Sequence, residues 1–266
     1  MRENNIPLKT SIDVIHQKKA CRLAERIIKE VKNRICAGVS TGEINTFCEE
    51  KILELGGQPA LKGYRGFPAA VCTSVNNVAA HGMPGEYVLK EGDLITLDLT
   101  VKLHGWHGDI AWTFCVGEAD ADSRRLIKAA WQATMAGIQA AKAGNRLGDI
   151  GHAVKQVADT YGCSVLEDLV GHGIGRDLHE EPIVLHFGAE GTGLPVVPGM
   201  VLTVEPILAL GSKEMKRLGD GWSILTEDNS KTAQYEHTIA VFGSRTEVLT
   251  LLENSEDRHI DFPPFF

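Results

Sequence analysis

The amino-acid sequence predicts an α+β fold with an approximate internal two-fold axis. Two helix pairs are expected, and the residues that punctuate them recur 106 positions further along: Ala37-Gly38, Gly42, Ile44 and Gly56 return as Ala143-Gly144, Gly148, Ile150 and Gly162. Each pair precedes a stretch rich in β-forming residues, at 70–116 and at 183–243. This repetition favours one domain built from two similar halves. We expect that domain to span 1–266, with a tail at 1–10 and a core at 11–266 that includes a short C-terminal tail.

Apolar periodicity and capping residues justify each helix. An amphipathic helix is expected from Ser11 to about Arg34, because apolar residues follow helical spacing there: Val14, Cys21, Ala24, Ile28 and Val31. The second helix begins at a capping box formed by Ser40 and Glu43 and ends at Gly56. The third and fourth helices are expected at about 123–142 and 149–161.

Composition excludes several classes of protein. Apolar residues make up 43% of the 266 residues and charged residues 23%, which is ordinary for a globular protein. The formal charge of −8 does not suit a nucleic-acid binder, and no apolar run reaches the roughly 18 residues of a membrane span. The N-terminus has no secretory signal, and the six cysteines have no C-x-x-C spacing. We expect a cytoplasmic protein with reduced thiols and neither a nucleic-acid nor a membrane partner.

Two aspartates lie in a predicted hairpin. The strand Leu94–Val101 alternates, with Asp98 on its polar face, and the following strand at 106–114 carries Asp109. A turn centred between residues 103 and 104 would place the two aspartates directly opposite, within roughly 4.5–5.5 Å. Such close carboxylates repel unless a cation lies between them. Asp109 could instead cap a turn, but aspartate is rare in strand interiors.

Three further residues complete a candidate metal centre. His172 lies among glycines, and Glu205 and Glu236 each interrupt an otherwise apolar strand. A buried carboxylate costs on the order of several kcal/mol unless it is paired, and the four short segments contain no Lys or Arg. A pair of divalent ions would neutralise these groups. The oxygen-rich ligand set favours Mn, Fe(II) or Co and predicts metal-assisted hydrolysis.

Two loop histidines are further candidates for a functional role. His81 and His179 both lie in segments bounded by Gly or Pro, where functional residues concentrate. A surface position without function explains each of them equally well from the residues alone.

At these residues the chain resembles the type I methionine aminopeptidases, of the M24 metallopeptidase family. The resemblance covers about Ser11 to Leu252, and its motifs are GYRGFPAAVCTSVNNVAAHGMP (63–84), LDLTVKLHGWHGDIAWTFCVG (97–117), GHGIGRDLHEEP (171–182), PGMVLTVEP (198–206) and DGWSILTEDNSKTAQYEHT (220–238). It implies the pita-bread fold, a curved antiparallel sheet covered by two helix pairs. It also implies that two metal ions bind the five residues Asp98, Asp109, His172, Glu205 and Glu236, with Asp109 and Glu236 bridging.

The resemblance also implies roles for the residues around the metals. His81 would contact the scissile amide, His179 would stabilise the oxyanion, and Glu205 would move the proton of the attacking water. The methionine pocket would comprise Tyr64, Phe67, Cys72, Leu178 and Trp222. From the residues alone, these apolar side chains could equally be ordinary core.

Local departures from the family pattern concern substrate selection. Leu178 replaces an aromatic pocket residue, Leu61 stands where a cysteine is often found, and Arg65 is a further difference. A monovalent-cation site at Asn76, Val78 and Thr232 is also implied.

Function is therefore expected to be removal of the initiator methionine from proteins with a small second residue. The partners would be N-terminal Met peptides and nascent chains, with transient ribosome association, and the enzyme would be a monomer. The alternatives are a prolidase or Xaa-Pro aminopeptidase of the same fold, and a metal-free peptide-binding relative. The former carry a large N-terminal domain, whereas only about ten residues precede the first helix here; the latter would lack metal ligands.

Overall fold

The structure, a computed structural model, describes residues 6–251. The helices in this range are α1 (Ser11–Val31), α2 (Thr41–Glu54), α3 (Ala121–Ala140) and α4 (Leu147–Thr160). The strands are β1 (Gln58–Pro59), β2 (Cys72–Val75), β3 (Val78–Ala80), β4 (Leu94–Leu103), β5 (Trp106–Cys115), β6 (Ser164–Val165), β7 (Gly171–Gly173), β8 (Glu180–Val184), β9 (Val201–Val204), β10 (Ile207–Ala209), β11 (Met215–Arg217), β12 (Ile224–Thr226), β13 (Thr232–Gln234), β14 (His237–Val241) and β15 (Thr246–Val248). The α+β class and the two helix pairs are confirmed.

The helix boundaries follow from local capping chemistry. The predicted box at α2 is present, with Ser40 accepting from the Glu43 backbone while the Glu43 carboxylate accepts from Ser40. A second box, which the sequence analysis did not identify, joins Thr10 and Asp13 at the start of α1. The α1 helix ends at Val31 and continues as a short 3₁₀ turn, so the predicted end near residue 34 includes that turn. α3 and α4 each begin two residues earlier than predicted.

The strands form antiparallel sheets that meet between the two halves. In the described part of the chain they make four hydrogen-bonded groups rather than one continuous sheet, the largest with the order β15-β14-β9-β7-β8. An antiparallel bridge between Trp112 and Tyr235 joins β5 to the second half, and the Glu236 backbone N–H donates to the Ala111 carbonyl at 2.9 Å. Helix α1 packs on β4 and β5, and α3 packs on β9, β10 and β13. The five candidate ligands belong to the strands and strand ends at this junction.

The register of the β4–β5 hairpin differs from the predicted one. Leu103 pairs with Trp106, so the turn consists of His104 and Gly105, with φ values of 50° and 81°. Positive φ at both central residues defines a type I′ turn, which matches the twist of a hairpin. Asp98 therefore pairs with Ala111, and Asp109 with Thr100. The expectation of directly opposite aspartates was wrong, but the slip of two residues keeps both on one face as diagonal neighbours.

The segment before α1 is partly built into the fold. Residues 1–5 of the predicted N-terminal tail and residues 252–266 of the predicted C-terminal tail lie outside the described residues. Lys9, however, is buried: its backbone N–H donates to the Gly199 carbonyl at 2.7 Å, and its ammonium pairs with Glu180. The expectation of a tail up to residue 10 was therefore wrong at Lys9. Among the described helices none combines the length and the apolar character that a membrane crossing needs.

Candidate metal centre

The first half contributes two carboxylates from one hairpin. Asp98 on β4 is half-buried, and Asp109 on β5 is buried with 4% of its surface exposed. The Thr100 hydroxyl donates to Asp109 Oδ1 at 2.7 Å, and the Asp109 backbone N–H donates to Thr238 Oγ1 at 3.1 Å. The first half thus orients the Asp109 carboxylate, and the second half binds its backbone.

The second half contributes an imidazole. The His172 backbone N–H donates to Thr203 Oγ1 at 2.9 Å, and His172 Nδ1 lies 2.9 Å from the Gly173 carbonyl, to which it donates. This bond assigns the proton to Nδ1 and leaves Nε2 as an acceptor, 3.9 Å from Asp109 Oδ2 and 3.6 Å from Glu205 Oε1. Burial lowers the pKa of His172 to about 4, which favours the neutral, metal-binding form.

Two glutamates come from breaks in the strands of the second half. Glu205 follows the last residue of β9, and Glu236 lies between β13 and β14. The expectation that both lie inside strands was therefore wrong, because regular strand structure is interrupted at each of these two positions. The Thr203 hydroxyl donates to Glu205 Oε1 at 2.6 Å, and the Glu205 backbone N–H donates to His186 Nε2 at 3.1 Å. Glu236 Oε1 is buried without a hydrogen-bond partner.

Electrostatics show that this group of residues suits a cation. Burial raises the pKa of Asp98 to about 6. Burial, and then the neighbouring carboxylates, raise the pKa of Asp109, Glu205 and Glu236 well above the ordinary range. Among the ion pairs of residues 6–251, none joins these four carboxylates to a Lys or Arg. Ligand atoms of Asp109, His172 and Glu236 all lie within 4.8 Å of one another. The unpartnered Glu236 oxygen and the oxygen-rich donor set fit divalent metal ions.

A cavity of about 490 Å³ opens onto these residues. Its wall includes all five candidate ligands and both loop histidines. His81 follows β3 with φ 53°, a conformation that non-glycine residues adopt rarely, and burial lowers its pKa. His179 is exposed at the cavity wall, with Nδ1 2.7 Å from the Tyr64 hydroxyl and its ring stacked on Tyr64 at 5.3 Å. Both histidines therefore face the same space as the ligands.

The predicted pocket residues divide into two groups. Cys72 and Leu178 are buried and line the cavity, together with Leu61. Phe67 and Trp222 pack edge to face at 5.2 Å in a cluster that includes Cys72. In the described part of the chain, Phe67, Trp222 and Tyr64 are not on the cavity wall, but they belong to apolar clusters that include the wall residues Cys72, Leu178 and Leu61.

The predicted monovalent-cation residues lie together. The Thr232 hydroxyl is 3.0 Å from each of the Asn76 and Val78 carbonyl oxygens, and the Thr232 backbone N–H donates to Asn76 at 2.8 Å. Asn76 has φ 53° and its amide donates to Asp93 Oδ1 at 2.8 Å. A cation at these carbonyls remains a prediction.

Sequence reasoning missed the residues that support the ligands. Thr100 shares the polar face of β4 with Asp98 and pairs across the hairpin with Asp109, so strand periodicity offers a signal for it. Thr203 lies two positions before Glu205, and this short spacing is its signal. His186 has no such signal: it is 19 residues from Glu205, and only the folded chain brings its Nε2 to the Glu205 backbone. Burial lowers the pKa of His186 to about 4, so the ring is neutral and able to accept.

Known proteins resemble this chain over most of its length. The model of metallopeptidase family M24 matches residues 16–242. Methionine aminopeptidase 1 of Bacillus subtilis is 40% identical over 242 residues, which cover 91% of this chain and 98% of that protein. The methionine aminopeptidase of Rickettsia prowazekii is 38% identical over 262 residues, which cover 98% of this chain and 99% of that protein.

Solved structures agree with these relatives. The methionine aminopeptidase of Rickettsia prowazekii has a TM-score of 0.91 at 38% identity, covering 92% of this chain and all of that one (100%). That of Thermotoga maritima has a TM-score of 0.91 at 35% identity, covering 93% and 100%. The prolidase from Pyrococcus furiosus has a TM-score of 0.74 at 20% identity, covering 93% of this chain and 66% of that one, and it shows the shared pita-bread fold alone. The chain therefore belongs to the methionine aminopeptidases of metallopeptidase family M24.

Proposed function

We propose that this enzyme removes N-terminal methionine from peptides and nascent chains whose second residue is small. The observation that carries the proposal is the convergence of five candidate ligands, one with an unpartnered buried oxygen, beside two histidines in one cavity. The names of the relatives supply the substrate class. A cytoplasmic location, transient ribosome association and a monomeric state remain predictions.

Asp98, Asp109, His172, Glu205 and Glu236 would hold two divalent ions. Mn, Fe(II) and Co suit four carboxylates and one imidazole. When bound, the ions would supply positive charge that polarises the scissile carbonyl and lowers the pKa of a water molecule. The carboxylates are held for this purpose by Thr100 and Thr203, whose hydroxyls orient Asp109 and Glu205.

The remaining chemistry belongs to the side chains of the cavity. The Glu205 carboxylate would accept a proton from the attacking water and pass it to the leaving amine as the C–N bond breaks. His179 would donate to the developing oxyanion, while its Nδ1 is held by the Tyr64 hydroxyl. His81 would contact the scissile amide from the opposite loop. Cys72 and Leu178 would contact the methionine side chain, backed by Phe67 and Trp222.

A peptide panel tests this function. Met-Ala-Ser, Leu-Ala-Ser, Met-Leu-Ser and Ala-Pro-Ser would be assayed with metal-depleted enzyme to which Mn, Fe(II) or Co is added separately. We expect cleavage of Met-Ala-Ser in at least one metal and little cleavage of the other three. Preferential cleavage of Ala-Pro-Ser would instead support the Xaa-Pro aminopeptidase alternative. Methionine-peptide binding without turnover in any metal would support the non-enzymatic one.

A further inference from the structure

Arg65 is an unusual residue of the cavity wall. Seven carboxylates line the same cavity: Asp98, Asp109, Asp168, Glu180, Glu181, Glu205 and Glu236. Among the described residues, Arg65 is the one Lys or Arg on this wall, and its side chain is exposed. The ion pairs of residues 6–251 include none to Arg65; its guanidinium lies 5.4 Å from the centre of the Tyr64 ring. A positive charge is thus presented to a cavity whose other ionisable side chains are mainly acids and histidines.

The loop that carries Arg65 holds it in a strained conformation. Arg65 has φ 49° and lies between Gly63 and Gly66, whose φ values are 88° and 92°. Two backbone hydrogen bonds close the loop. The Gly63 N–H donates to the Phe67 carbonyl at 2.6 Å, and the Phe67 N–H donates to the Tyr64 carbonyl at 2.9 Å. Gly or Asn would adopt this backbone more readily than Arg. Strain of this kind persists where the surrounding structure fixes the backbone, and it concentrates at active sites and ligand-binding positions.

The acidic side chains around Arg65 fall into two groups: those that a cation would neutralise, and those that remain open to a substrate. If the proposed function holds, two divalent ions neutralise Asp98, Asp109, Glu205 and Glu236. Glu180 is paired with the buried Lys9. Asp168 and Glu181 are exposed, so a peptide leaving the metal centre toward solvent meets these two acids and the Arg65 cation.

We propose that Arg65 is a specificity-determining residue that binds a substrate carboxylate located after the first peptide bond. This inference rests on the proposed function and deepens it. The planar guanidinium matches a carboxylate with two parallel N–H donors, which a Lys ammonium does not. The carboxylate would belong to an Asp or Glu side chain, or to the C-terminus of a short peptide. Without Arg65, Asp168 and Glu181 would repel such substrates.

Matched peptides test the proposal with the metal-loaded enzyme. Met-Ala-Ser-Gly-amide is the neutral reference, Met-Ala-Asp-Gly-amide and Met-Ala-Ser-Asp-amide add a side-chain carboxylate, and the free acid Met-Ala-Ser-Gly adds a terminal one. The quantity compared is the ratio of kcat/KM for an acidic peptide to that for the neutral amide. We expect Arg65→Ala to lower this ratio about threefold and Arg65→Glu to lower it about tenfold, the size of exposed charge pairs. Arg65→Lys should fall between Arg65→Ala and the unchanged enzyme.

Arg34→Ala is the matched control. Arg34 is also exposed and also lies over an aromatic ring, Phe47 at 5.2 Å, but it is not on the cavity wall. Its replacement should leave the ratio unchanged, and added salt should reduce the Arg65 effect. Equal ratios in the unchanged enzyme, Arg65→Ala and Arg65→Glu would overturn the inference while leaving the function intact. If the unchanged enzyme cleaves none of the peptides, the proposed function itself fails.

Discussion

The two halves of the molecule supply the candidate ligands in different ways. The first half gives Asp98 and Asp109 from neighbouring strands of one hairpin, where eleven positions and one turn separate them. The second half gives His172, Glu205 and Glu236 from three separate segments, which meet only because β7, β9 and β14 lie side by side in one sheet. The turn and strand pairing of one hairpin determine the first arrangement, whereas the second depends on the whole fold.

Asp109→Asn should have the largest effect, because Asp109 is where the two halves meet. Its carboxylate lies 3.9 Å from His172 Nε2, and its backbone is bonded to Thr238. We expect kcat/KM for Met-Ala-Ser to fall by at least about 10³-fold, with loss of bound metal. Asp168→Asn, an exposed carboxylate of the same cavity, should keep its metal. Normal cleavage by Asp109→Asn would show that the hairpin does not contribute to the centre.

His81→Ala should have the next largest effect and should separate chemistry from metal binding. His81 lines the cavity but is not one of the five candidate metal ligands. We expect kcat to fall about 10²-fold, with metal content unchanged by elemental analysis. Because His81 has φ 53°, His81→Asn is a useful second variant: asparagine tolerates this backbone, so equal loss in both variants assigns the effect to the imidazole. Metal loss in either variant would contradict the assignment.

Removing a side chain that supports a candidate ligand should lower metal affinity by different amounts in the two halves. Thr100→Val removes the hydroxyl that donates to Asp109 within the hairpin, and we expect metal affinity to fall about tenfold. His186→Leu removes the acceptor of the Glu205 backbone N–H and leaves that donor buried, so we expect a fall of up to about 100-fold. Metal titration by calorimetry would compare them. A larger loss from Thr100→Val would mean that the hairpin, too, needs support beyond its own turn.

The same contrast explains what the sequence could predict. The capping box at Ser40 and the polar face of β4 are local patterns and were predicted from sequence. The register failed because His104 occupies a positive-φ turn position that usually holds Asn, Asp or Gly, so the turn was placed one residue too early. The burial of Lys9 and the contact of His186 with Glu205 join residues that no periodic pattern relates. The resemblance, rather than periodicity, gave the roles of His81 and His179.

Metal removal should make stability depend on pH in a defined direction. In the metal-free protein burial raises the pKa of Asp98 from 3.8 to about 6, and those of Asp109, Glu205 and Glu236 are raised as well. Folded carboxylates then keep protons that unfolded ones release, so the contribution of these four carboxylates to the free energy of unfolding falls as pH rises from about 4 through 6 and beyond.

Thermal unfolding at several pH values, with EDTA and with added Mn, would check this pH dependence of stability. Buried histidines such as His172 and His186 have pKa values lowered from 6.5 to about 4, so they give the opposite slope between those two values, over much the same pH range. The comparison is therefore with Glu236→Gln, which keeps those histidines and removes one carboxylate. We expect the fall in metal-free stability to be smaller in that variant and Mn to stabilise the unchanged enzyme most near neutral pH. Identical pH profiles for the two proteins would contradict a repulsive carboxylate cluster.

The smallest expected effect tests whether the hairpin is locally determined. Gly105 has φ 81° in the type I′ turn, so Gly105→Ala should reduce the free energy of unfolding by about 1 kcal/mol. The added Cβ would meet Arg176 Nη1 at 2.8 Å, an atom at the end of a flexible side chain that is able to move. Gly243→Ala, at a glycine without positive φ and with no atom within 4 Å of the added Cβ, should be neutral. Since ten residue pairs fix the β4–β5 register, metal affinity should remain unchanged in Gly105→Ala; a large loss would mean that the turn, rather than the strand pairing, positions Asp98 and Asp109.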